Sequence, residues 1–429
     1  MDKVDVIIVG GGLAGLSCAY ELADSGMTIL VLERGDFSGS KNVTGGRLYL
    51  RPLLNYLPDI WKDAPLERHV TKEILTFMGK ENSTTFELYS NRFNQEPYPS
   101  YTILRAKFDR WFADLVSEKG IFVIPQKNVD DLIRDGEKII GVRTDGEEIG
   151  ADCVVAADGI LSFMAEKAGL RKPFHPQHVA LGFKEVIALD SKIIEDRFRL
   201  AGNEGAAQLF LGSLTKGVMG GGFLYTNQQS LSLGIVVGIH SLNQKEPRLE
   251  VYKFLDEFKE RPEIKNLVKG GEVVEYSAHL ITEGGIHTMP KLYADGMLVT
   301  GDAAGLGLNM LVTVRGMEYA MVSGVLAGRT IKIAKEKNDF SASTLSHYEK
   351  LLSESFILKE MNHFKYTPMV LNNERLFNQY PQAISDLFEK VMWVDEKPKE
   401  GIYKTKIKEL KRQFFNLKTF KDWWQFRKI

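Results

Sequence analysis

Apolar and polar positions alternate in two rhythms along this chain, and the change from one to the other outlines its elements. Val4–Val9 (VDVIIV) is a short β-branched run, the pattern of a buried strand. A helix is predicted from Leu13 to about Asp24, and a second buried strand from Thr28 to Leu32, which together make a β-α-β unit. Further on, GADCVVAADGILS (Gly150–Ser162) reads as a buried strand running into Asp158-Gly159. DGMLVTGDAAGLGLNMLVTVRGMEYAMVSG (Asp295–Gly324) reads as a strand, then Gly301-Asp302, a loop and a helix of small residues. LRAKFDRWFADL has the spacing of an amphipathic helix that opens at Arg105. A long β-rich stretch runs from about Val179 to His240, and helical patterns with charged faces such as SHYEKLLSESFILKEM follow residue 345. There is no internal repeat and no low-complexity segment.

These elements predict an α/β protein: a Rossmann-like dinucleotide-binding domain, an inserted β-sheet substrate domain and a helical C-terminal region. The expected boundaries are 1–70, 101–165 and 272–345 for the first, 71–100 and 166–271 for the second, and 346–429 for the third. A length of 429 residues and 44% hydrophobic content suit such a multidomain globular chain.

A net charge of −1 gives no overall footprint for nucleic acid, which is excluded as a partner. The charge is uneven, however. From Ile402 to Ile429 there are nine Lys or Arg against Glu409 and Asp422, a surplus of +7, and the segment ends LKTFKDWWQFRKI with Phe420, Trp423, Trp424 and Phe426 among the cations. Cys18 and Cys153, each in an apolar stretch, argue against a disulfide framework, a Cys-ligated metal or an iron–sulfur cluster on this chain, so no metal site is expected. No apolar run approaches the roughly 18 residues needed to span a bilayer. The chain opens directly on a strand, so no secretory leader is expected.

Gly10, Gly12 and Gly15 fit G-x-G-x-x-G between the first strand and helix, and the second strand ends on Glu33, 18 residues past Gly15. Glycines there permit a tight turn and close backbone approach to a pyrophosphate, the helix N–H groups face its charge, and Glu33 can accept from a ribose. The motif alone does not separate NAD from FAD. Asp158-Gly159 and Gly301-Asp302 resemble the DG and GD fingerprints of the flavoprotein family of aromatic hydroxylases, prenyl reductases and quinone oxidoreductases, which implies FAD. In that family the GD aspartate holds the ribityl chain, Arg105 supports the pyrophosphate, and the helix after the loop aims its N-terminus at the flavin. A helix start in that place stabilises negative charge on a reduced flavin.

Further stretches are similar to the FixC (EtfC) branch of the electron-transfer-flavoprotein:quinone oxidoreductases. They are GSKNVTGGRLY (Gly39–Tyr49), IIEDRFRLAGNEGAA (Ile193–Ala207), MGGGFLYTN (Met219–Asn227), VEYSAHLITEGGI (Val274–Ile286) and NMLVTVRGMEYA (Asn309–Ala320). The resemblance implies that FAD is held by Gly10, Gly12, Ala14, Gly15, Glu33, Arg34, Asn42, Gly45, Gly46, Arg105, Asp158, Gly159, Gly301, Asp302, Asn309 and Met310. It implies electrons arriving from the α and β subunits of a bifurcating, NADH-oxidising electron-transfer flavoprotein, and delivery to a membrane quinone. The cysteines that carry a 4Fe–4S cluster in longer relatives are missing here, so a small ferredoxin-like 4Fe–4S subunit is an expected partner. A peripheral place on the cytoplasmic side of the cell membrane goes with that reading, and the basic, aromatic tail is the candidate contact.

No catalytic side chain is certain, because a flavin carries its own chemistry. Gly221 and Gly222 are candidates for letting a flat quinone approach the backbone, against the plainer role of a β-bulge or hairpin corner. His279 and His287 flank LITEGGI and are candidates for a proton path, against the plainer role of structural histidines. The post-GD loop LGLNMLVTVRG lacks the proline usual in hydroxylases, which makes flavin-hydroperoxide chemistry the poorer fit. A geranylgeranyl-type prenyl reductase, sharing FAD and fold, is the alternative.

Overall fold

The structure is a computed structural model that describes residues 2–41, 46–396, 398 and 417–427. Its first sheet runs in the spatial order Tyr293–Ala294, Met297–Val299, Glu147–Ala156, Asp2–Val9, Ile29–Leu32 and Phe122–Ile124, and the last five of these strands are parallel. The hairpin Val129–Asp135 and Lys138–Thr144 extends it through Glu147–Gly150. Val6, Ile7 and Ile8 are fully buried because both faces of the central strand are covered, which is why this stretch is continuously apolar and not alternating.

The cover on one face is a pair of helices, Leu13–Leu22 and Met317–Glu336. They approach through small residues: a Cβ on Gly324 would stand 2.1 Å from the Ala14 carbonyl oxygen, and one on Gly328 would meet Glu21 Cγ at 2.9 Å. The small-residue character read from the sequence is thus a packing requirement.

A second sheet is ordered Glu272–Thr282, Val179–Ala188, Ser230–Gly238, Gly220–Thr226, Glu204–Gly212, His69–Met78, Ser100–Thr102 and Arg47–Tyr49, with Ser83–Tyr89 also on His69–Met78. Phe254, Leu255, Phe258 and Ile264, from two helices behind it, close its core. Two of its strands, Glu272–Thr282 and Arg47–Tyr49, fall inside stretches expected in the first domain, and Ser100–Thr102 crosses into one. Glu272–Thr282 pairs along its length with Val179–Ala188, and Arg47–Tyr49 pairs with Ser100–Thr102. The pattern EVVEYSAHLIT identifies an edge strand, with Val273, Val274 and Tyr276 exposed, but local pattern does not say which sheet receives it.

The C-terminal region is helical from Ala342 to Met392, as the charged-face patterns predict. The helix Leu417–Phe426 then returns to the body. Asp422 is buried there and accepts from Arg375 Nε at 2.7 Å and from the Tyr380 hydroxyl, and Phe426 packs on the Val370, Leu371, Leu376 and Phe377 cluster. Trp423 and Trp424, which as neighbours cannot share a helix face, are 62% and 58% exposed. Among the described residues no helix is long and apolar enough to cross a membrane.

Candidate active site

The parallel strands of the first sheet end at Val9, Leu32, Ala156 and Val299, and a cavity of about 530 Å³ opens beyond those ends, facing the second sheet. Carboxyl ends of parallel strands are where α/β sheets place ligands. On this wall lie Gly10, Gly12, Ala14, Glu33, Arg34, Arg105, Asp158, Gly159 and Asp302. Gly10 has φ +109°, and a Cβ there would sit 2.3 Å from the Ala157 carbonyl oxygen, so the turn out of the first strand demands glycine. Gly301 has φ +64°, with its missing Cβ 2.6 Å from Ala14 Cβ. That contact seats the GD turn against the first helix. Gly15 stands behind the wall, within the helix and against the Gly10 carbonyl.

The acids of this wall are held differently. Glu33 accepts from the backbone N–H of Gly11 at 2.8 Å and of Gly35 at 2.6 Å, one to each carboxylate oxygen. Two lone-pair directions remain for a ligand's hydroxyls. Asp158 Oδ2 accepts from Met164 N–H at 2.9 Å and caps the short helix Phe163–Lys167, while its buried Oδ1 has no protein partner. Burial pushes the Asp158 carboxyl up to about 6. Burial also raises Asp302, and the Arg105 guanidinium opposes that rise. Arg105 forks onto Asp109, with Nε–Oδ1 2.8 Å and Nη2–Oδ2 2.7 Å, which fixes its orientation in the wall.

Opposite, the second sheet presents Gly182, Lys184, Phe210, Gly220, Gly221, Gly222, Phe223, Tyr225 and His279. Gly221 and Gly222 are strand residues, not a corner. A Cβ on Gly222 would meet Phe258 and Leu214 of the core behind the sheet at 3.0 and 2.8 Å, and one on Gly221 would meet the Phe210 carbonyl oxygen at 2.6 Å, so neither position has room for a side chain, and both line the cavity. Between the walls runs a small hairpin, Leu308–Asn309 with Val314–Arg315, followed by Gly316 and the start of the long helix at Met317, which also line the cavity. Leu311 at its tip has φ +75°, a costly conformation for a branched side chain.

His279 lines the cavity, its Nδ1 2.7 Å from the Leu280 carbonyl oxygen. His287 does not: it is exposed and lies 3.0 Å from the Lys365 carbonyl oxygen. Asn309 lines the cavity and Met310 packs beside the first core instead. Gly46 lines it too, close against the Tyr225 ring, whereas Asn42 and Gly45 lie outside the described residues. Two charged groups escaped the sequence reading. Lys184 is a buried cation within the apolar run LGFKEVIA, 3.6 Å from Glu275, and burial pushes its pKa down. Glu283 is a buried carboxyl between the two histidines that were noticed. Both stood out only as single polar residues in apolar surroundings. Among the described residues no cluster could hold a metal ion.

The set fits FAD. An unpartnered buried Asp158 oxygen, a Glu33 with free lone pairs, Asp302 in the wall and glycine backbone at Gly10 and Gly12 form an elongated polar track. At its end the second sheet supplies an apolar, flat-sided space. Replacing Asp302 by Ala should leave the fold intact, because the buried acid is opposed by its own desolvation, yet the purified protein should lose most of its FAD. Absorbance at the flavin band against protein content measures this. Full FAD stoichiometry in Asp302→Ala would remove that residue from the site.

Comparison with known proteins agrees. Residues 5–85 match the family model of FAD dependent oxidoreductases, residues 179–281 the ubiquinone-binding model of ETF-QO, and residues 367–429 the C-terminal domain model of the ETF-QO/FixC family. The chain is 41% identical over 403 residues to the "Probable electron transfer flavoprotein-quinone oxidoreductase YdiS" of Escherichia coli (strain K12), covering 94% of each chain. It is 42% identical over 417 residues to protein FixC of the same strain, covering 97% of each, and 40% identical to FixC of Azorhizobium caulinodans, covering 93% of this chain and 92% of that one. Among solved structures, a geranylgeranyl bacteriochlorophyll reductase-like protein from Thermoplasma acidophilum superposes with a TM-score of 0.74 at 23% identity, covering 98% of this chain and 99% of that one. A myxobacterial chondrochloren halogenase does so at 0.66 and 20%, covering 91% and 90%. At such identities these two show the shared flavoprotein fold alone. With relatives above 40% identity along nearly the whole of both chains, this chain is an FAD-dependent oxidoreductase that belongs to the ETF-QO/FixC family.

Proposed function

We propose that this chain accepts electrons from an electron-transfer flavoprotein and reduces a membrane quinone. The observation that carries the reading is the two-walled cavity: one wall has the FAD-binding set, and the other belongs to the stretch matched by the ubiquinone-binding model. Bound there, FAD supplies exchange of electrons one or two at a time. The protein's residues do the rest. Gly10, Gly12 and the first helix would hold the pyrophosphate, Glu33 the ribose, and Asp302 the ribityl chain, while the Arg105 guanidinium partly offsets the rise that burial imposes on Asp302. The start of the helix Met317–Glu336 aims partial positive charge into the cavity. Gly220–Phe223 leaves room for a flat ring against bare backbone, and Phe210, Phe223 and Tyr225 keep water from it.

The finer reading follows the family resemblance. The donor is the αβ electron-transfer flavoprotein of a bifurcating, NADH-oxidising complex, and a small ferredoxin-like 4Fe–4S subunit completes it, because this chain has only Cys18 and Cys153, both buried. The protein is peripheral on the cytoplasmic side of the cell membrane. FAD-loaded protein should be reduced slowly by NADH alone and many times faster once the cognate electron-transfer flavoprotein is added, with a short-tailed quinone restoring the oxidised spectrum. Fast stoichiometric reduction by NADH of the isolated chain would reject the reading in favour of a direct reductase.

The tail supports a lipid contact. Trp423 and Trp424 face outward while Asp422 and Phe426 fix the helix to the body, so the aromatics are presented and not packed. Indole rings favour the headgroup boundary, and each basic residue near anionic lipid adds about 1 kcal/mol at low salt. The double substitution Trp423→Ser and Trp424→Ser should lower sedimentation with anionic vesicles and keep FAD content. Unchanged sedimentation would instead assign the two rings to a partner subunit.

A further inference from the structure

Glu283 follows the strand Glu272–Thr282 and lines the cavity. Its backbone N–H donates to the His178 carbonyl oxygen at 2.8 Å, which pins the main chain. Its carboxyl is buried and receives the Asn309 side-chain amide at 3.3 Å on one oxygen and 3.2 Å on the other. Asn309 belongs to the hairpin between the two walls, so the acid is clamped where both meet. The ionisable groups on the elements packed around it are His178 on the preceding turn, His279 on its own strand, His287 beyond it, Asp302 on the GD turn and Arg315 on the hairpin. Among the described residues none of them forms an ion pair with Glu283, and the donor to its carboxyl is the neutral amide of Asn309. Lys184, the buried cation of the same cavity, is paired with Glu275.

A cavity that turns a quinone into a quinol must deliver protons as well as electrons. We propose that Glu283 is the acid that protonates a quinone carbonyl oxygen in this cavity, an inference that rests on the quinone-reduction reading above. In the balanced step the quinone gains two electrons from the reduced flavin cofactor, together with the one proton that its oxidation releases. The second proton comes from the Glu283 carboxyl, whose O–H bond breaks as a quinol O–H forms. The carboxylate left behind is reloaded by a solvent proton. Burial makes the group suited to this, since desolvation pushes its pKa up to about 7, in the range where an acid both holds and releases a proton at working pH.

The test uses FAD-loaded protein and Glu283→Gln, which keeps the shape and a carbonyl acceptor for Asn309 but cannot ionise. Wild type should reduce a short-tailed quinone more slowly as pH rises through about 7. Glu283→Gln should be slower by about 100-fold and lose that dependence, while FAD content and the rate of flavin reduction by the electron-transfer flavoprotein stay as in wild type. A second readout needs no turnover. The folded pKa lies above the ordinary 4.5, so the native state holds the proton more tightly than the unfolded chain and wild type loses this stability as pH rises from 4.5 to about 7. The Tm of Glu283→Gln minus that of wild type should therefore grow across that window and level off above it. Glu283→Asp should restore part of the rate. A wild-type rate and pH profile in Glu283→Gln, or a Tm difference independent of pH, overturns the proposal. Failure of wild type itself to pass electrons to quinone overturns the function above and the proposal with it, whereas quinone reduction that Glu283→Gln leaves unchanged overturns the proposal alone.

Discussion

The close contact between the helices Leu13–Leu22 and Met317–Glu336 is the constraint on which the site depends. Ala14 faces Gly301 and Gly324, and neither glycine has room for a methyl group without displacing the first helix. A methyl forced into so tight a contact costs on the order of 1–3 kcal/mol. The interaction matters beyond stability because it joins segments far apart in the chain. It sets the turn at Gly10–Gly12 in the same cavity wall as Asp302, and it directs the start of the long helix into that cavity.

From that fixed wall the chemistry follows by opposition. The first sheet offers polar groups in a track, each with capacity left over: Glu33 with two backbone donors satisfied, Asp158 with one oxygen unpartnered, Asp302 balanced between burial and Arg105. The second sheet offers an apolar face with bare backbone at Gly220–Gly222 and few charged groups. Electron transfer needs proximity and exclusion of water more than it needs a nucleophile, and this arrangement supplies both. The hairpin Leu308–Arg315 bridges the two, and its strained tip at Leu311 is the sort of local cost that functional loops sustain.

Much of the first wall was legible in the sequence, because Gly10, Gly12, Glu33, Asp158 and Asp302 sit at the ends of strands whose apolar runs are unmistakable. The second sheet was less so. Glu272–Thr282 was placed with the first domain, because its partner is chosen by contacts with Val179–Ala188 that no local pattern encodes. His279 and His287 looked equivalent in LITEGGI, but the strand ends between them and the turn Gly285–Thr288 carries His287 to the surface. Glu283 was hidden by its neighbours: a single acid gains meaning only when burial and the Asn309 amide are seen. Met310 and Asn309 are adjacent, and the hairpin's alternation sends one to the core and the other to the cavity. The tail's cations and aromatics were evident, while the anchoring of Asp422 to Arg375 depends on a tertiary partner.

The central claim is that FAD and quinone share this one cavity, on opposite walls. A crystal structure of the FAD-loaded chain soaked with a short-tailed quinone tests it most directly. The account predicts FAD along Gly10, Glu33, Asp158 and Asp302, with the quinone ring against Gly220–Phe223. A quinone bound outside the cavity, with that wall empty, would contradict it.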